Sequence, residues 1–224
     1  MFIRRTAPSM VVAEDALPGR GEPILTHPAP HLKLGTDILA PVGEGQAEIF
    51  LAAGCYWGVE EIMWDLPGVV TTAVGFMGGF TPNPTYGEVC TGMTGHTETV
   101  RVVYSGTDPL PLILKTFWEC HDPTSLNAQG NDIGTQYRSA IFTTKPEQSR
   151  LATESRDAYD DVLRAAGQGP IVTQIVDANQ TTGFFPAEED HQQYLIKVPH
   201  GYRCHAKTGM ACPMPGAGPL ADLS

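Results

Sequence analysis

The sequence predicts an α+β fold: a ferredoxin-like split βαβ two-layer sandwich with an extended N-terminal arm and a Pro/Gly-rich C-terminal tail. Two observations lead there. Between about residue 46 and residue 177, strand-like and helix-like apolar runs follow one another as β-α-β-β-α-β, with a further helix and strand behind. On either side, residues 1–45 and 198–224 are rich in Pro and Gly and lack a period. The expected organisation is therefore an arm at 1–45, a catalytic α/β domain at 46–197 and a tail at 198–224 that carries two cysteines.

Each element has its own signal. Ala47-Glu48-Ile49-Phe50-Leu51-Ala52-Ala53 reads as a buried strand. Gly54 permits a tight turn, and Cys55 opens a helix to about Leu66, ended by Pro67-Gly68. Val69 to Phe76 is the next strand, followed by a long glycine-rich loop reaching Gly95. Thr99 to Tyr104 is the third strand. Asp108 caps a helix with Pro109 at its first position and Leu110, Ile113, Leu114, Phe117 and Trp118 along one face. A second loop, Asp122 to Gln136, leads to the strand Arg138 to Thr143. Thr144 and Glu147 form a capping box for a helix ending near Gly167, and Ile171 to Asp177 is the last strand.

With 42% hydrophobic and 17% charged residues over 224 positions, the chain is globular rather than disordered. Its net charge of −11 repels phosphate backbones and anionic lipid, so neither nucleic acid nor membrane is an expected partner. Nor does any apolar run approach the ~20 residues needed to span a bilayer. Arg4 and Arg5 precede a segment too short and acidic for an export signal, so a cytoplasmic protein is expected; a monomer is the expected state. Five cysteines, an odd number, argue against a static disulfide framework.

Chemistry concentrates in a few places. In Gly54-Cys55-Tyr56-Trp57-Gly58 the cysteine stands where a strand turns into a helix, facing free amide N–H groups and the positive end of the dipole. A thiol so placed is expected to have a lowered pKa, with Tyr56 and Trp57 walling an apolar pocket. A buried helix-start cysteine beside core aromatics explains that segment about equally well. Cys204 and Cys212 lie in the tail, where a mobile thiol can close a disulfide on a distant sulfenic acid. His191, His200 and His205 nearby keep a zinc site open, although the spacing fits no common zinc signature. Glu98, entering an apolar strand, is a candidate for a buried, protonated acid. Taken alone, it reads better as a solvated loop residue. Tyr86, Asp132 and Tyr137 stand in the two long loops, where sites are often built. Cys90 and Cys120 read as small hydrophobes, and His96 and His121 as loop and helix-end residues.

These segments resemble a known family, the A-type peptide methionine sulfoxide reductases. Gly54-Cys55-Tyr56-Trp57-Gly58 is similar to the family's Gly-Cys-Phe-Trp-Gly signature. The likeness continues through Gly78 to Tyr86, Thr94 to Glu98, His121 to Pro123, Gln129 to Ser139 and Glu188 to Leu195, covering about residues 46–212. The resemblance implies that Cys55 attacks the sulfoxide sulfur while Glu98, held protonated, gives a proton to its oxygen. Tyr86 and Tyr137 would bond that oxygen, Asp132 would hold the polar side, and Tyr56 and Trp57 would enclose the methyl group. Cys204 would resolve the resulting sulfenic acid, and Cys212 would pass the oxidation on to thioredoxin. Substrates would be the S epimer of methionine sulfoxide, free or in oxidised proteins, with no cofactor or metal. Three features depart from the family pattern: Tyr56 in place of Phe, Arg203 between Tyr202 and Cys204, and His-Ala-Lys-Thr-Gly-Met-Ala between the tail cysteines. The competing readings are a peroxide-reducing thiol enzyme using Cys55 and Cys204, and a zinc-stabilised binding module.

Overall fold

The computed structural model describes residues 8–204 and 206–215, so Arg4 and Arg5 of the excluded export signal lie outside it, as do His205 and the end of the tail. Strand β1 (Gln46–Ala53) leads into helix α1 (Tyr56–Trp64), and β2 (Val69–Met77) into the short α2 (Tyr86–Cys90). Then come β3 (Thr97–Ser105), α3 (Pro109–Cys120), the ribbon of β4 (Ala128–Gln129) and β5 (Asp132–Ile133), and β6 (Ser139–Thr143). Helix α4 (Pro146–Ala165), β7 (Gln174–Asp177), β8 (Phe185–Pro186) and α5 (Tyr194–Lys197) complete the order.

The fold is mixed α+β around one mostly antiparallel sheet, ordered β7-β6-β1-β3-β2-β8. Only β6 and β7 run parallel. Because α1 joins β1 to β2 while β3 lies between them, the sheet edge at the end of β1 opens onto the start of α1. Alternation along the strands divides the apolar side chains. Ile49, Leu51, Val74, Phe76, Val100 and Val102 face α1, α3 and α4 and form the main core with Met63, Phe117, Trp118 and Leu163. Trp118 donates its indole N–H to Ser155 Oγ at 2.9 Å, tying α3 to α4 inside that core. On the opposite face, Phe50, Ala52, Met77 and Phe142 pack under Phe184, and Leu25 and Ile38 of the arm cover Ala73. The arm is pinned there by Arg101, which bonds the carbonyls of Ile38 and Ala40 and the carboxylate of Glu48.

Local signals were displaced in four places. The first loop contains α2, whose capping box Thr85–Glu88 is complete in the structure. Asp108 precedes α3 but makes no side-chain cap, its backbone being already helical. Pro146 takes the first helical position of α4, which shifts the capping residue from Glu147 to Gln148. The Gln148 Oε1 accepts from the Thr144 and Lys145 N–H groups at 2.7 and 3.1 Å. The last predicted strand begins at Gln174 rather than Ile171, because the Ile171 and Val172 N–H groups bond Asp160 and the Pro123 carbonyl instead of the sheet. Gly167, at φ +78°, closes α4 as expected, with the Gln168 N–H returning to the Leu163 carbonyl at 2.9 Å.

Candidate active site

The nucleophile's seat follows from Gly54. Its φ of +87° suits glycine, and a Cβ there would stand 2.7 Å from the Gln129 side chain. The turn delivers Cys55 to the N-cap of α1, 7% exposed; its side chain makes no capping hydrogen bond, but the Trp57 and Gly58 N–H groups lie close enough to draw its titration down. These donors favour the thiolate, as the helix start suggested, yet burial outweighs them. The thiol titrates above its ordinary value, with the Glu98 and Asp132 charges adding to the rise. The expected lowering of the Cys55 pKa is thus corrected: the amides are present, but so is a desolvated site.

Glu98 lies beside it on β3, 2% exposed, with its Oε2 accepting the Tyr56 N–H at 3.0 Å. Burial pushes this carboxyl up to about 8, the Tyr56 N–H draws it down, and Asp132 raises it further. At neutral pH it therefore keeps its proton, which removes the charge that would otherwise oppose a thiolate at Cys55.

Three loop residues complete the polar side. Tyr86 opens α2, and its N–H bonds Glu188 at 3.0 Å. Burial raises its hydroxyl, with the Glu98 charge and the neighbouring Cys90 adding to the rise. Burial raises the Tyr137 hydroxyl, followed by the charges of Glu98, Cys90, Asp132 and Cys55. Asp132, in the β4–β5 ribbon, accepts the Tyr202 hydroxyl at 3.1 Å.

The apolar side is aromatic. Tyr56, 1% exposed, packs at 5.9 Å from Phe76 and 6.4 Å from Tyr86. Trp57 stacks on Tyr194 at 4.1 Å and on His191 at 5.7 Å, the latter pair 9° from parallel. His191 also lies 4.3 Å from Tyr86. Three residues of this enclosure, His191, Tyr194 and Tyr202, were given no pocket role from sequence. The first two fall inside the Glu188–Leu195 motif, whose His and Tyr three residues apart were the available signal.

The two tail thiols part company. Cys204 is half-buried, its thiol donating to the Gln129 carbonyl at 3.3 Å. The Tyr202–Asp132 pair lies near enough to influence its titration. Its own carbonyl passes over Gly58, at the first turn of α1. Cys212 is 3% exposed, inside the main core, with its N–H on Glu119 Oε1 at 2.8 Å. Tyr159 anchors the approach to it, accepting from Thr208 and donating to the Met210 carbonyl at 3.0 Å. The described part of the tail around Cys212 is therefore seated rather than free, because Cys212 and Met214 find a place against the core at α3 and α4. Cys120, read as a small hydrophobe, is buried and bonded to the Phe117 carbonyl, whereas Cys90, read the same way, is exposed at the end of the short α2. His96 and His121 are buried and pushed down to about 4 by desolvation. His96 bonds the Thr81 carbonyl at 2.8 Å, and His121 bonds the Phe117 carbonyl at 2.7 Å. Among the described residues, no group of three His, Cys, Asp or Glu side chains is placed to hold a metal ion. His205, part of the zinc alternative, lies outside them.

Residues 47–213 match the family described as peptide methionine sulfoxide reductase. The chain belongs to that family. Peptide methionine sulfoxide reductase MsrA of Corynebacterium kroppenstedtii is 49% identical over 215 residues, spanning 93% of this chain and 96% of that protein. The namesake from Rhodospirillum centenum is 49% identical over 99% of both chains. The solved methionine sulfoxide reductase A of Corynebacterium diphtheriae superposes with a TM-score of 0.82 at 48% identity, covering 93% of this chain and 100% of that one. Reduced Mxr1 of Saccharomyces cerevisiae superposes at 0.64 with 31% identity, over 75% of this chain and 95% of its own. This member of the reductase family is accordingly an oxidoreductase of the A type, built on the fold of its relatives. No helix among its described residues is long and apolar enough to cross a membrane.

Proposed function

We propose that this reductase acts on the S epimer of methionine sulfoxide, free or within proteins, through Cys55 and Glu98. The observation that carries this is their pairing: a thiol at the head of α1 and a buried neutral carboxyl are joined through the Tyr56 N–H inside an aromatic enclosure. Sulfoxide oxygen leaves poorly unless protonated, so the nucleophile needs an acid beside it. Cys55 sulfur attacks the sulfoxide sulfur and Glu98 protonates the oxygen. Tyr86 and Tyr137 bond that oxygen, Asp132 steadies the polar side, and Tyr56 and Trp57 enclose the methyl group. Oxygen then passes to Cys55 as a sulfenic acid and methionine leaves.

The Cys204 thiol next displaces water from that sulfenic acid and forms a Cys55–Cys204 disulfide. Cys212 attacks Cys204, freeing Cys55, and the dithiol of a thioredoxin reduces the Cys204–Cys212 disulfide. For this exchange Cys212 must leave its seat between α3 and α4. The working unit is the domain at 46–197 with its arm and tail, and the order β6-β1-β3-β2 with crossovers α1 and α3 supports the ferredoxin-like reading. The protein is proposed to act as a cytoplasmic monomer without metal or cofactor.

Single-turnover reduction of an S-sulfoxide by the reduced protein, with free thiols counted afterwards, tests the assignment. Methionine formed with thiols lost in pairs, and an inert Cys55→Ser, are expected. No methionine from the unmodified protein rejects it.

A further inference from the structure

Glu60 lies wholly inside the fold, on α1 one turn beyond Trp57. Its carboxylate faces three donors. Oε1 accepts from Thr72 Oγ1 and Gln193 Nε2, and Oε2 from the Gln193 N–H, each at 2.9 Å. Thr72 in turn receives His31 of the arm at 2.9 Å. Hydrogen positions follow from the neighbours. His31 Nδ1 faces the Lys33 and Leu34 N–H groups at 3.2 Å, so it accepts and Nε2 carries the proton. Donation therefore runs one way, from His31 to Thr72 to Glu60.

The other end of the network reaches the pocket. Gln193 stands at φ 47°, ψ 42°, a left-handed conformation uncommon for a residue with a side chain. Gln192 beside it bonds the Val74 N–H and C=O at 2.9 and 2.8 Å and the Ala187 carbonyl at 3.0 Å. On either side of this pinned pair are His191 and Tyr194, both stacked on Trp57. Helix α1 thus carries both the indole and, one turn later, the carboxylate that holds the rings covering it.

Building on the reductase reading, we propose that Glu60 is a positioning residue for substrate binding: through Gln193 it holds the His191–Tyr194 wall against Trp57, so the methyl pocket exists before the sulfoxide arrives. None of its hydrogen bonds reaches Cys55 or Glu98, so its action falls on binding and not on sulfur attack. Glu60→Gln replaces an acceptor oxygen by an N–H₂ donor, so the one-way donation into this position cannot persist and Thr72 or Gln193 must reorient. Gln193→Ala removes a bond from the opposite end.

The test combines steady-state kinetics with hydrogen exchange on the full chain. Both variants are expected to raise KM for methionine sulfoxide about 5- to 30-fold while kcat stays within about threefold, the signature of lost binding. Amide exchange should quicken about tenfold in residues 187–196 and remain unchanged in β1 and β3. A folded variant with KM within twofold and unchanged exchange there overturns the proposal. So does a fall in kcat accompanied by faster exchange throughout, which marks a merely structural role. If Glu60→Gln does not fold, Gln193→Ala decides alone by the same criteria. An unmodified chain that cannot reduce methionine sulfoxide sinks the reductase reading, and exchange at 187–196 then decides separately whether Glu60 holds the wall.

Discussion

Replacing Glu98 by Gln should make the protein more stable and nearly inactive, and the gain in stability should grow with pH. The carboxyl holds its proton up to about 8 in the fold, against an ordinary value of 4.5. Between those values the folded chain carries a proton that the unfolded chain has released, so stability falls as pH rises from the ordinary value through about 8. Below the ordinary value the penalty vanishes, and above about 8 it is complete. At neutral pH the group stands about 2.5 pH units above its unfolded titration, worth about 3 kcal/mol at about 1.4 kcal/mol per unit. Glutamine keeps the shape and can still accept the Tyr56 N–H, but it has no proton to lose. Urea unfolding of reduced wild type and variant at about pH 5 and about pH 8.5 measures the difference, which should be small at the first and about 4–5 kcal/mol at the second. Loss of the acid should lower kcat by about 10²–10⁴ at neutral pH, and wild-type activity should fall as pH rises through about 8. A variant that is less stable than wild type at high pH, or within tenfold of its activity, would refute the buried neutral acid.

Other outcomes are equally direct. Cys204→Ser should complete one turnover and stop with Cys55 as a sulfenic acid, detectable by a carbon-nucleophile trap and mass spectrometry. Brief alkylation of the reduced protein should label Cys90 first and Cys204 next. Cys120 and Cys212, buried and pushed up to about 12, should stay protected until the protein unfolds. Gly54→Ala forces a Cβ onto Gln129 at a positive φ, and a loss of about 1–3 kcal/mol in thermal or chemical unfolding is expected. Arg20→Ala removes a partly exposed bidentate pair with Glu88, and only a small loss of stability in urea unfolding is expected. It should also raise KM by loosening α2 and Tyr86.

Much of this was legible in the residues. Alternation of apolar side chains located the central strands, and glycine on either side of Cys55-Tyr56-Trp57 located the turn that presents the thiol. What escaped depends on partners far away in sequence. His191 becomes part of the pocket because Gln192 and Gln193 anchor its segment to β2 and α1, more than a hundred residues earlier in the chain. β8 exists only by pairing with β2. The titration of Cys55 was misjudged for a related reason: donors at a helix start can be read locally, whereas the desolvation opposing them arises from how the whole site closes. Cys212 illustrates the same limit, since a Pro/Gly-rich composition does not reveal a groove between α3 and α4 that receives the chain.

The arm, finally, touches the enclosure from behind at two separate points. Arg20 grips Glu88 in the helix that begins with Tyr86, and His31 feeds the Thr72–Glu60 network behind Trp57. One side of the cleft is thus braced through one anchor and the opposite side through another, on a single covalent strand running under the sheet. Damage at the two anchors should consequently not add: slack introduced at Arg20 would be taken up at His31, and the double variant should lose more than the two single losses combined. Residues ahead of the first strand thereby set how stiffly the cleft is sprung.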